Sequence, residues 1–160
     1  MAVSSGRILA GAIGGTLGGL AMKAVVRLCD RNAFGLSSQT DARAARALFG
    51  EGLGQERAER IGSAMHYGFG IVTGVGYAVA GDRFPALRTG RGTAFGAGLW
   101  LIGDELAVTV GRLENACAAS AVSHLSALAA HLLYGWIVDA CVSGSEGLIS
   151  AAAQHPQQDV

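Results

Sequence analysis

The sequence predicts an all-α polytopic membrane protein, an antiparallel bundle of four transmembrane helices with a short amphipathic helix in the first loop. Three observations carry that expectation. Of the 160 residues, 51% are hydrophobic and 15% charged, and the mean hydropathy of +0.38 lies well to the apolar side of a soluble domain of this size. Four apolar runs of about 20 residues, separated by polar stretches, are each long enough at 1.5 Å per residue to cross a hydrocarbon core of about 30 Å. Gly supplies 25 residues and Pro only 2, which suits helices packed closely in lipid better than a disordered or collagenous chain. Helices are preferred because they satisfy their own backbones in lipid without closing a barrel.

The chain reads as a single membrane domain over residues 1–160. Its first span is expected over 8–28. Arg7 ahead of an apolar run also fits a signal peptide, but Lys23 and Arg27 fall where a small-residue cleavage site should lie. Gly11, Gly15 and Gly19 recur every four residues as a helix-contact stripe, and the stripe runs on into Lys23. Its ammonium is therefore expected to point at a neighbouring helix and away from lipid.

A polar loop follows over 29–60. Ser37 to Asp41 offers N-cap residues, Ala42 to Phe49 can make two turns of helix, and Gly50, Gly52 and Gly54 break it. Ala45, Leu48 and Phe49 give that helix a small apolar side that could rest at a membrane interface. Glu56 and Arg60 pair at i,i+4 on the way into the next span.

The second span, 61–81, carries Gly62, His66, Gly70 and Gly74 at four-residue intervals. The connection over 82–91 is just long enough to join antiparallel helices, so the second and third spans are expected to be neighbours. The third span, 92–112, contains Gly96 and the adjacent carboxylates Asp104 and Glu105, with no basic residue between Arg91 and Arg112. The fourth, 120–142, places Ser123, Ala127, His131, Gly135 and Asp139 on one stripe, with His124 beside it. That stripe should face the bundle. Residues 144–160 form a polar tail expected to fray. A count of Lys and Arg favours the 29–60 loop on the cytoplasmic side, with both termini opposite.

Depth along antiparallel helices gathers the polar side chains. Counted from the side of the 29–60 loop, Lys23 and His66 lie roughly 8 Å deep, Glu105 and Asp104 roughly 10 to 12 Å, His124 about 6 Å and His131 about 16 Å. They are expected to form one buried polar cluster. Adjacent helical residues point about 100° apart, so Asp104 and Glu105 should serve different neighbours, one of them pairing with Lys23. Such a layer either fixes helix register or opens to water as a path for protons or a solute, since ionisable groups inside spans are the usual relay material.

Other chemistries find little support. The net charge is zero and no basic face is available, so no nucleic-acid partner is expected. Cys29, Cys117 and Cys141 have no C-x-x-C spacing, giving neither a disulfide framework nor a zinc motif. His124 and His131 are too far apart on one helix to hold the same ion, and no metal is expected. Nothing marks a nucleophile elbow, a P-loop or a dinucleotide turn. The protein is therefore expected to be no enzyme and to use no cofactor. Its expected partner is the lipid bilayer, with a homo-oligomer or a membrane-protein partner open to it through the Gly-rich faces.

Several of these residues also carry a family likeness. His66-Tyr-Gly-Phe-Gly70 with Gly74 and Tyr77, Phe95-Gly-Ala-Gly-Leu-Trp-Leu-Ile-Gly-Asp-Glu105, and His124-Leu-Ser-Ala-Leu128 with His131-Leu-Leu-Tyr-Gly135 together resemble the YagU-like family of bacterial inner-membrane proteins. The likeness covers most of residues 8–140. It implies a small multi-pass protein of the cytoplasmic membrane in a family without an assigned activity. That family places a proline soon after the acidic pair, where this chain has Thr109, so the resemblance leaves the exit of the third helix in question.

Overall fold

The computed structural model describes residues 3–31, 40–103 and 121–154. The fold is all-α. Five helices follow in order: α1 (Ser5–Arg31), α2 (Thr40–Phe49), α3 (Gln55–Ala80), α4 (Thr93–Trp100) and α5 (Ala121–Gln154), with a 3-10 turn at Pro85–Arg88 between α3 and α4. Residues 101–103 prolong α4 as a π-helical turn. The acidic pair Asp104 and Glu105, the remainder of the third expected span to residue 112 and the exit at Thr109 lie outside the described residues.

Two stretches, Ser5–Cys29 and Ala121–Gly147, are long and apolar enough to cross a membrane. Only 33% of each apolar window is buried, whereas the core helix of a soluble protein of this length would be mostly covered. α3, at 26 residues against 27 for α1, is poorer in aliphatic side chains, because His66, Tyr67 and Tyr77 interrupt its apolar run.

α1 is the helix on which the others are placed, and small residues explain how. Gly11 faces Gly74, Gly15 faces Gly70, and Gly19 faces His66 and Tyr67, a constant pairing sum that makes α1 and α3 antiparallel. A Cβ added at Gly15 would collide with the Gly70 carbonyl, so the contact depends on absent side chains on both helices. Gly14 and Gly18 lie about 60° around α1 and face Val138, Cys141 and Tyr134 of α5. α1 thus sits between α3 and α5, with glycine turned towards each.

α4 does not pack chiefly along α3, as the short connection between them suggested. Its main neighbour is α5, and the reason is again small residues: Gly92 and Gly96 lie against Gly135 and the His131 carbonyl. Gly92 has φ of 80° and abuts the backbone of α5, so two independent constraints, a left-handed backbone and lack of room, require glycine there. α3 reaches α4 through a ring contact, Tyr77 to Phe95 at 4.9 Å between centroids. Tyr77, Ala78, Tyr134, Val138 and Val142 form the buried core, with Met22, Leu87, Phe95 and Leu99 packed around it.

α5 runs well beyond residue 142. The segment expected to fray is helical as far as Gln154, and Ser143 and Glu146 within it bind Arg88.

Candidate functional site: ionic clusters at the two ends of the bundle

Between Arg7 and Lys23, α1 carries no charged residue, and the interval is about 24 Å at 1.5 Å per residue. An ionic cluster forms at each end of that interval.

At the first end Arg7, in the opening turn of α1, is only 8% exposed. Its guanidinium grips Asp82, just past α3, through both terminal nitrogens, Nη2 donating to Oδ1 at 2.9 Å and Nη1 to Oδ2. Nη1 also lies 3.3 Å from Glu146 of α5. Arg88, on the 3-10 turn, donates to Glu146 Oε2 at 3.1 Å and to Ser143 Oγ at 3.0 Å, and its Nε is 3.7 Å from Asp139 Oδ1. Tyr77 Oη donates to the same Asp139 oxygen at 2.5 Å. Asp139 is 7% exposed, a position where an ionised carboxylate needs both a cation and a hydrogen-bond donor. Arg7 holds the Asp82 carboxyl below its usual range by hydrogen bonding, while bonds to Glu146 push the Arg88 guanidinium higher still. Two guanidiniums and three carboxylates therefore tie α1, the end of α3, the 3-10 turn and α5 together. Planar forked donors suit such multi-point bonding.

At the second end Lys23 Nζ lies 2.8 Å from Asp41 Oδ2 and donates to Ser63 Oγ, also at 2.8 Å. It stands over the Tyr67 ring, 5.6 Å from the centroid, a distance at which the ring face still attracts a cation. His66 uses Nε2 to reach the Gly19 carbonyl at 3.2 Å, and its Nδ1 faces Asp41 Oδ1 at 3.8 Å. Asp41 arrives because α2 folds back along α3. Gly62 leaves room for the Asp41 backbone, Ala42 and Ala45 are buried, and Arg46 bonds the Leu53 carbonyl and the Gln55 side chain across the turn.

Of the residues expected to cluster, the structure brings Lys23 and His66 together and gives both of them Asp41. His131 Nδ1 bonds the Ala127 carbonyl one turn back in its own helix, and His124 sits on the first turns of α5. Whether Lys23 also meets Asp104 or Glu105 lies outside the described residues. Sequence reasoning placed neither Asp41 nor the Arg7–Asp82–Arg88–Glu146 network in a site. A signal for Asp41 does exist. A helix that starts at Thr40 and turns at Gly50 must run antiparallel to α3, which carries its first-turn carboxylate towards Gly62 and His66.

Between the clusters, polar side chains pair locally. Thr73 Oγ1 lies 2.7 Å from Tyr134 Oη, which donates to the Gly70 carbonyl at 2.6 Å. The outward surface of the same layer is apolar, with Leu9 60%, Val72 68% and Trp136 46% exposed. Among the described residues no group of three His, Cys, Asp or Glu side chains is arranged to hold a metal ion.

Fold and site together define an all-helical protein with two helices apolar enough to cross a membrane, close-packed through glycine and tied by ion pairs at both ends of the uncharged stretch of α1. The chain belongs to a family of unknown function, DUF6789, whose model matches residues 5–147. The match supports the expectation of an uncharacterised family domain and does not extend to the YagU-like family. No curated protein and no solved structure matches the chain.

Proposed function

We propose that the protein is a small multi-pass protein of the bacterial cytoplasmic membrane, with four antiparallel spans, and that its ion clusters hold the bundle together and take no part in catalysis. The observation that supports this most is the apolar outer band lying between two ionic ends. Leu9, Ile13, Leu17 and Leu20 of α1, Phe69 and Val72 of α3, and Trp136 of α5 all point outwards, a surface that water disfavours and lipid accepts. The distance of about 24 Å between Arg7 and Lys23 along α1 is close to a hydrocarbon thickness. The 29–60 loop is placed on the cytoplasmic side and both termini opposite. Reporter fusions at residues 1 and 160 are expected on the same side of the membrane. Fusions on opposite sides, or release of the protein by alkaline carbonate, would overturn the proposal.

A second reading, a proton-handling or solute-transport component, is favoured by one detail: the His66 ring stands between a backbone carbonyl and a carboxylate. Proton flux in liposomes abolished by His66→Phe would support it over the structural reading.

A further inference from the structure

We propose that His66 and Asp41 form a proton-binding site whose occupancy strengthens the docking of α2 on the bundle, a property beyond the structural role proposed above. The geometry fixes the tautomer. A carbonyl oxygen can only accept, so the contact between His66 Nε2 and Gly19 O at 3.2 Å places a hydrogen on Nε2. In the neutral ring Nδ1 then carries a lone pair, and that lone pair faces Asp41 Oδ1 at 3.8 Å. Two acceptors facing each other repel. A proton on Nδ1 turns the contact into an ion pair. The proton comes from solvent and returns there.

The remaining groups around the site set how strongly the proton acts. Lys23 from α1 bonds the other Asp41 oxygen, opposing a second positive charge while keeping the carboxylate ionised. Ser63 and Tyr67 of α3 face Lys23, and Tyr67 stands edge-on to His66 at 5.5 Å. Among the described residues these are the charged and titratable groups shown around the pair. α2 is the element that responds, because its first turn carries Asp41; its further contacts with α3 include buried alanines, the close backbone approach at Gly62 and the exposed Arg46–Gln55 contact. Its far end, Leu48 and Phe49, is exposed. Lys23 holds α2 whether or not His66 carries the proton, and protonated His66 adds a second hold.

Removing Lys23 isolates the proton's contribution. Spin labels on Ala47→Cys, exposed on α2, and Arg83→Cys, exposed beyond α3, are introduced in the full chain in detergent micelles with the native cysteines replaced by serine. In the Lys23→Met background the docked distance is expected to gain about fivefold in population relative to undocked distances between about pH 8 and about pH 5.5, the weight of one partly exposed ion pair. Adding His66→Phe should abolish that response, and His66→Lys should keep α2 docked at both pH values. An unchanged distribution in Lys23→Met, or a response that survives His66→Phe, overturns the proposal. Should Lys23→Met fail to fold, amide exchange of α2 corrected for intrinsic rates serves instead. It should slow at low pH in the wild type and not in His66→Phe, and equal behaviour of the two would equally overturn the proposal.

Discussion

The two ends of α1 are held by the same kind of force in different ways. At Arg7 a forked guanidinium and its neighbour Arg88 interleave with Asp82, Asp139 and Glu146, so each charge has several partners on several elements. At Lys23 one carboxylate on a ten-residue helix serves both an ammonium and an imidazole. Loss of one group from the first cluster strands others that cannot leave, since they sit on long packed helices. Loss of Asp41 lets α2 lift away, and water then reaches Lys23. The difference shows that the cost of an ion pair depends on whether the stranded partner has a route to solvent.

The sharpest way to break that comparison is Arg88→Met. Asp139 is buried, and Arg88 is the cation shown beside it, so the variant should lose about 3 kcal/mol of stability, at the low end for a broken buried pair because Arg88 itself is partly exposed. Denaturation in mixed micelles measures it, and Arg88→Met combined with Asp139→Asn should recover much of the loss. Additive single and double variants would show that the cluster does not act as a unit.

A smaller effect is expected at the other end. Asp41→Asn should cost no more than about 1 kcal/mol of global stability, while amide exchange in α2 rises towards that of an unpacked helix. A global loss as large as that of Arg88→Met would erase the distinction between the ends.

The smallest effect belongs to acid. Arg7 depresses the Asp82 carboxyl below its ordinary 3.8, so the contribution of this group is fully present above that value and is lost as the pH falls through the lower, folded-state titration. Melting temperature should therefore be insensitive to Asp82 near neutrality and fall below about pH 4. The Asp82→Asn variant should lack that component, and an equal acid-induced fall in it would place the sensitivity elsewhere.

The all-helical character and the rows of small residues are legible in the chain because both are local. Spacing of three or four puts Gly11 and Gly15, Gly14 and Gly18, or Gly70 and Gly74 on one face regardless of what lies opposite. The partners of the charges are not local. Arg7 meets Asp82 and Glu146, and Lys23 meets Asp41, through the placement of whole helices. Asp82 and Arg88 stand in a short polar connection, where solvation is the ordinary expectation. Glu146 was hidden for another reason: Gly144 and Gly147 suggest a helix end, yet bonds from Arg88 to Ser143 and Glu146 accompany helix that continues past both. The placement of α4 shows the same limit, since a short connection fixes where two helices start and leaves small residues further along to decide where they pack.

The unequal spacing of these partners along the chain sets an order of assembly. Lys23 has its carboxylate 18 residues later, so that pair is available almost as soon as α1 and α2 have been synthesised, and a short loop is cheap to close. Arg7 waits for Asp82, and its second carboxylate, Glu146, belongs to α5 and emerges later still. The glycine faces of α1 are likewise filled one after the other, first by α3 and then by α5. A ribosome stalled before residue 121 would thus leave α1 secured at its Lys23 end and along one face, with the second face uncovered. Arrival of α5 closes that face and the Arg7 cluster in the same step, so α5 locks in place the helix on which the others are set.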